Sequence, residues 1–199
     1  GKAFMPRPYQ RYAIRRIIDT PAVALLLDMG MGKTVSTLTA INELMFDRFE
    51  VHKVLVIAPL RVALSTWRDE CEMWEHTRHL RISIAVGGLR TREEALAEDA
   101  DIYVVNRDVV KWLVGYYRAK WPFDMVVVDE SSSFKNPASQ RFKALRKVRP
   151  LVQRVVLLTG TPAPNGLMDL WSQLYLLDRG ERLGRTLTEY RERYFRPGQ

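Results

Sequence analysis

A glycine turn set between a strand pattern and a helix pattern limits this chain more than any other feature of its 199 residues. The apolar run 22–27 feeds straight into Asp28-Met29-Gly30-Met31-Gly32-Lys33-Thr34, and a helical pattern leaves it from Thr34 to about Arg48. A buried strand, a glycine turn and a helix in that order build a phosphate cradle. Gly30 and Gly32 can take positive φ without a Cβ penalty, so backbone N–H groups can converge on an anion. Lys33 can reach the outer phosphates, and the Thr34 hydroxyl can ligate Mg²⁺. Leu27 stands where the full phosphate-loop pattern has its first glycine, so the motif is partial. The competing reading is a plain glycine turn with a solvated lysine.

The rest of the chain alternates strand and helix patterns. Helical spacing opens at Arg7-Pro8-Tyr9-Gln10 and runs to about Asp19, with Ile14, Ile17 and Ile18 on one face. Apolar runs predict strands at 54–58, 82–86, 102–105, 126–130 and 155–158. Helices are expected at 66–74 with Ser65 as cap, in a short piece opened by the box Thr91-Arg92-Glu93-Glu94, and at 109–117, 138–148 and about 165–177. The tail 186–195 also has helical spacing. This alternation predicts an α/β layer fold with a mainly parallel sheet, in which ligands sit at the carboxyl ends of the strands.

One of those ends carries paired acids. The run 126–128 leads into Asp129-Glu130. Downstream of a phosphate loop, the first acid can hold the Mg²⁺ shell and the second can orient and deprotonate a water. Neighbouring strand residues point to opposite faces, so the strand must end here for both acids to serve one site.

Composition narrows the setting. Net charge is +8, from 31 basic and 23 acidic residues, which suits a polyanionic partner and equally suits a generally basic surface. The single cysteine, Cys71, excludes an intramolecular disulfide and a multi-cysteine metal site. No apolar run is long enough to span a bilayer and no signal-peptide pattern opens the chain, so an intracellular place, cytoplasmic or nucleoid-associated, is expected. Trp67, Trp74, Trp112 and Trp171 fall at helical spacings and are expected in the core; Trp121, before Pro122, is placed in a loop.

Taken in order, Arg7-Pro8-Tyr9-Gln10, Asp28 to Thr34, Ala58-Pro59-Leu60 with Trp67 and Glu70, Asp129-Glu130, and Leu158-Thr159-Gly160-Thr161-Pro162 with Asn165 resemble the first RecA-like lobe of superfamily-two helicases, in the Swi/Snf-like branch. The resemblance spans about residues 6–178. It implies a RecA-like P-loop NTPase fold with ATP and Mg²⁺ as cofactors. Arg7, Tyr9 and Gln10 would contact adenine. The loop Met29, Gly30, Met31, Gly32, Lys33 and Thr34 would hold the phosphates. Thr34 and Asp129 would support the metal, and Lys33, Asp129 and Glu130 would be the catalytic set. Thr159, Gly160 and Thr161, with Ser132, would couple nucleotide state to nucleic acid. Pro59, Leu60, Arg61, Asn106 and Arg107 would lie near a nucleic-acid backbone, with duplex DNA the favoured partner.

Two features depart from the family. Ser131-Ser132 follow the acidic pair where the family has alanine or glutamate and then histidine or glutamine, which bears on coupling more than on chemistry. The expected domain plan is one lobe over 1–199, with about 179–199 beginning a connection to a second RecA-like lobe of the same parent chain. That lobe would bring arginine fingers, worth roughly 10³–10⁵ in turnover in related enzymes. An RNA or single-strand helicase, and a nucleotide-gated DNA- or protein-binding module, are the alternatives.

Overall fold

The computed structural model describes residues 1–27, 32–130 and 140–159. Among these residues six strands form one sheet: β1 (Ala22–Leu26), β2 (Val54–Ala58), β3 (Ile82–Ile84), β4 (Ile102–Asn106), β5 (Met125–Asp129) and β6 (Arg154–Thr159). Their spatial order is β1-β6-β5-β2-β4-β3, and every neighbouring pair is parallel. Among the described residues six α-helices flank the sheet, α1 (Pro8–Asp19) before β1 and then α2 (Lys33–Asn42), α3 (Trp67–Met73), α4 (Leu89–Ala97), α5 (Val110–Tyr117) and α6 (Gln140–Val148), one in each connection between strands. This is the mainly parallel, helix-flanked layer fold that the alternating pattern implies.

Every residue of β2, β4 and β5 is buried. Side chains alternate between faces along a strand, so both faces of the central sheet are covered. That is why these strands read as continuous β-branched and aliphatic runs. Helix α1 packs on α2, α2 on α3, and α5 on α6. Tyr103, Phe123, Tyr117 and Trp121 close the core beside β4 and β5 as an edge-to-face cluster with ring centroids 5.1–6.4 Å apart.

Local starts and stops differ from the sequence expectation in instructive ways. The helix after β2 winds directly from Pro59, whose carbonyl accepts from Ala63 N at 2.8 Å. The fixed proline φ suits a first turn, so Ser65 lies inside the π-helical turn Val62–Thr66 that leads into α3, and caps nothing. Helix α4 starts at Leu89 after an extended Gly88, whose carbonyl takes Arg92 N at 3.0 Å. The Thr91–Glu94 box therefore sits within the first turns. Strand β3 stops at Ile84, although Ala85 N still donates to Val104 O at 2.8 Å. Trp67 and Trp121 are buried, whereas Trp74 and Trp112 are half-buried. Trp74 donates its indole N–H to Glu70, and Trp112 lies under the Arg92 guanidinium. The expected helices at 165–177 and 186–195, and Trp171, lie outside the described residues.

Because all six strands are parallel, their carboxyl ends share one edge. That edge collects Leu27, the Pro59 turn, Asn106-Arg107, Asp129-Glu130 and Thr159.

Candidate nucleotide site

The site is built where β1, β5 and β6 end. Strand β6 lies between the other two, with Leu26 opposite Thr159 and Asp129 opposite Leu158. Leu27 N donates to Thr159 O at 3.0 Å, extending the ladder to the edge of the glycine turn. The turn closes at Gly32 with φ +71°, in the left-handed region. Gly32 O then accepts from Ser36 N at 3.0 Å, starting α2. Helix α2 thus points its N-terminal N–H groups at the end of the sheet.

Backbone and surroundings both favour glycine at 32. The φ suits no β-carbon well, and a Cβ would lie 2.2 Å from Gln10 Nε2. Gln10 is buried on α1 and turned by its own helix end: its Oε1 accepts from Arg7 N at 2.8 Å, which leaves the amide nitrogen toward Gly32. Gln10 and Gly32 are therefore in contact. Arg7 is exposed and Tyr9 half-buried against the core.

Lys33 joins the glycine turn to the acids. Its Nζ lies 2.9 Å from Asp129 Oδ1 and pairs with Glu130 Oε1. Asp129 is 1% exposed, and its Oδ2 accepts the indole N–H of Trp67 at 3.1 Å. Burial pushes the Lys33 ammonium down. The charges and hydrogen bonds of Asp129 and Glu130 outweigh that effect, and its pKa is raised overall. Lys33 is thus a firm cation at any physiological pH.

The paired acids resolve the alternation problem by a backbone device. Asp129 ends β5, and Glu130 leaves it with φ +59°. A left-handed residue after a strand turns the next side chain back, so both carboxylates reach one lysine. Such a conformation is uncommon for glutamate, and it is held: Arg107 Nη2 donates to Glu130 O at 3.1 Å. Burial and the nearby Arg141 lower the Arg107 pKa, against the opposing pull of Glu130, Asp129 and Asp108.

Other expected site residues fall as follows. Thr34 is buried on the first turn of α2, and Thr159 is buried at the end of β6. Leu60 and Arg61 are exposed beside half-buried Pro59. Asn106 is buried, and Arg107 faces the acid strand rather than open solvent. Met29, Gly30, Met31, Ser132, Gly160 and Thr161 lie outside the described residues. Sequence reasoning placed Trp67 in the motif set without a site role, and nothing in its spacing announces a bond to an acid 62 positions away. Among the described residues no cluster of three histidine, cysteine, aspartate or glutamate side chains could hold a metal, and no helix is long and apolar enough to cross a membrane.

The donor set fits a Mg²⁺–nucleotide. A buried carboxylate at a strand end faces a lysine, a buried threonine opens the facing helix, and Gly32 before it is left-handed, with no room for a β-carbon beside Gln10. Thr34 and Asp129 would hold the ion, which supplies charge neutralisation to phosphate oxygens.

Comparison with known proteins agrees with this geometry. The SNF2-related domain matches residues 12–197. Protein p41 of Acyrthosiphon pisum secondary endosymbiont phage 1 is 43% identical over the whole chain, which covers 45% of p41. Helicase SWR1 of Mycosarcoma maydis is 32% identical over 86% of the chain, which covers 10% of SWR1. Among solved structures, the Sulfolobus solfataricus SWI2/SNF2 ATPase core in complex with dsDNA superimposes with a TM-score of 0.75 at 27% identity, over 96% of this chain and 41% of that one. The chain therefore spans less than half the length of each of these relatives.

Proposed function

The chain belongs to the SNF2-related domain family, and from that premise we propose that it is the ATP-binding motor lobe of a duplex-DNA translocase. The carrying observation is the convergence of Lys33, Asp129 and Glu130 at one sheet edge, facing the Gly32 turn.

The chemistry follows from these positions. The α2 N-terminus and the Gly32 turn receive the phosphates. Lys33 exchanges its acid partners for the outer phosphate oxygens, which frees Glu130 to accept the proton of an attacking water. Asp129, buried and bonded by the Trp67 indole, would hold the metal with Thr34. Gln10, packed on Gly32, ties adenine recognition to the phosphate turn. Thr159, between the glycine-turn strand and the acid strand, is the coupling residue. Exposed Leu60 and Arg61 beside Pro59, with Asn106 and Arg107 on the same edge, supply contacts to a nucleic-acid backbone; Arg107 also holds the Glu130 carbonyl.

The relatives' greater length supports a second lobe in the parent that completes hydrolysis. The isolated 1–199 chain is then expected to bind ATP modestly and turn it over far more slowly than once per second.

The test is ATP turnover by the full-length parent with duplex DNA, single-stranded DNA, RNA or nothing, with Lys33→Ala as blank. Strong stimulation by duplex DNA, lost in Lys33→Ala, is expected. Preference for RNA or a single strand would move the reading to a helicase. Nucleotide binding without stimulated turnover would favour a nucleotide-gated binding module, the second reading kept open by Ser131-Ser132 after the acids.

A further inference from the structure

The side chain with the least obvious purpose at the site is Trp67. It is fully buried, so its indole N–H needs a partner. Backbone carbonyls meet that need in most proteins. Here the donor goes to Asp129 Oδ2 at 3.1 Å, across from α3 to the end of β5. The carboxylate is thereby divided. Oδ2 is held by the indole, and Oδ1 is aimed at the Lys33 ammonium, 2.9 Å away, with no well-directed hydrogen bond of its own. The elements that carry this bond are tied through the sheet. Strands β2 and β5 are paired neighbours, and the helix that carries Trp67 rises directly from the end of β2. The π-helical turn Val62–Thr66 sits immediately before Trp67 and sets the rotation at which the indole leaves the helix.

We propose that Trp67 is a positioning residue for the metal ligand Asp129. Its indole fixes one carboxylate oxygen so that the other is presented, in a single orientation, to the cation of the site. The motif Pro59-Leu60…Trp67 then serves two ends of one segment: Leu60 and Arg61 face solvent, and seven residues on, Trp67 grips the metal end of β5. A change at the exposed end has a direct mechanical route to the carboxylate. The proposal rests on reading this site as a Mg²⁺–nucleotide site.

The experiment uses the full chain with ¹⁵N-labelled tryptophan and a fluorescent ATP analogue. The indole signal absent from Trp67→Phe is expected to shift in Asp129→Ala, because its acceptor is gone. Trp67→Phe is expected to raise the Mg²⁺ concentration for half-maximal nucleotide binding by about 10- to 100-fold, the usual penalty for losing a group that orients a metal ligand, while binding in EDTA stays unchanged. Trp67→His, which restores a ring N–H, recovers part of the loss. If Trp67→Phe does not fold, Asp129→Ala carries the test: one exchange-protected indole signal must move. An indole signal indifferent to Asp129→Ala, or a Mg²⁺ midpoint unmoved in Trp67→Phe, overturns the proposal. An indole that shifts in Asp129→Ala, together with a wild-type chain that binds no Mg²⁺–nucleotide, overturns it along with the reading of the site, and leaves the bond purely structural.

Discussion

Lys33 is held between Asp129 and Glu130, and that arrangement makes it a structural cation, apart from the phosphate contact proposed for it. Removing it strands a carboxylate that is 1% exposed. Lys33→Ala should therefore cost about 3 kcal/mol of stability in addition to abolishing nucleotide binding, and Asp129→Ala in the same chain should restore part of it. Chemical denaturation of the two variants checks this. Gly32→Ala should lower nucleotide affinity at least about tenfold and cost roughly 1 kcal/mol or more, since it combines a positive φ with a clash against Gln10. Adding Gln10→Ala should relieve the clash and leave the backbone strain, which a thermal-shift series separates. Cys71 gives a simpler reading. Burial pushes its thiol up to about 11, with smaller pushes from Glu72 and Asp101, and its Sγ faces Thr77 O at 3.1 Å. Iodoacetamide at pH 8 should label it slowly in the native protein and fully in urea.

Elements here are joined by side chains as much as by the sheet. His76 illustrates the connection: its ring bonds Thr39 on α2 and stacks on Phe4 near the start of the chain. Burial, helped by nearby His79, lowers its pKa. The unfolded chain then binds the proton more readily than the folded one. The stabilisation is complete above the unfolded value of about 6.5 and is lost as pH falls through the lower folded value. Thermal melts between pH 7.5 and 5 should show a smaller loss for His76→Asn than for the parent. On the other side of the core, Phe123 meets Tyr103, Tyr117 and Trp121 edge to face and is almost wholly buried. Phe123→Ala should cost about 3–5 kcal/mol, with no effect on nucleotide affinity in chains that remain folded.

For the whole molecule the controlling fact is the strand order. A parallel sheet puts every strand exit on one edge, and placing β6 between β1 and β5 puts Thr159 between the glycine turn and the acids. Lys33 links the glycine turn to the acid strand directly, and Thr159 on β6 lies between the two strands that carry them. Net charge of +8 adds a long-range term. Duplex-DNA binding by the parent should weaken steeply with salt, and Arg61→Ala should reduce the slope of log affinity against log salt by about one unit. Fluorescence anisotropy over a salt series measures both.

The strands and their parallel arrangement were legible in the chain itself. Short apolar runs buried on both faces, glycines at a strand-to-helix turn and acids at a strand end carry their physical meaning locally. Helix starts were less legible. Pro59 and Gly88 compete with Ser65 and Thr91 as signals, and the backbone path, not the capping side chain, decided between them. What only the tertiary structure decided was partnership across distance. The left-handed backbone of Glu130, the contact of Gln10 with Gly32, the grip of Arg107 on a carbonyl and the bond from Trp67 to Asp129 join residues far apart in sequence. Periodicity encodes which face of an element is buried; it does not encode which buried polar group on a neighbouring element waits there to be bonded.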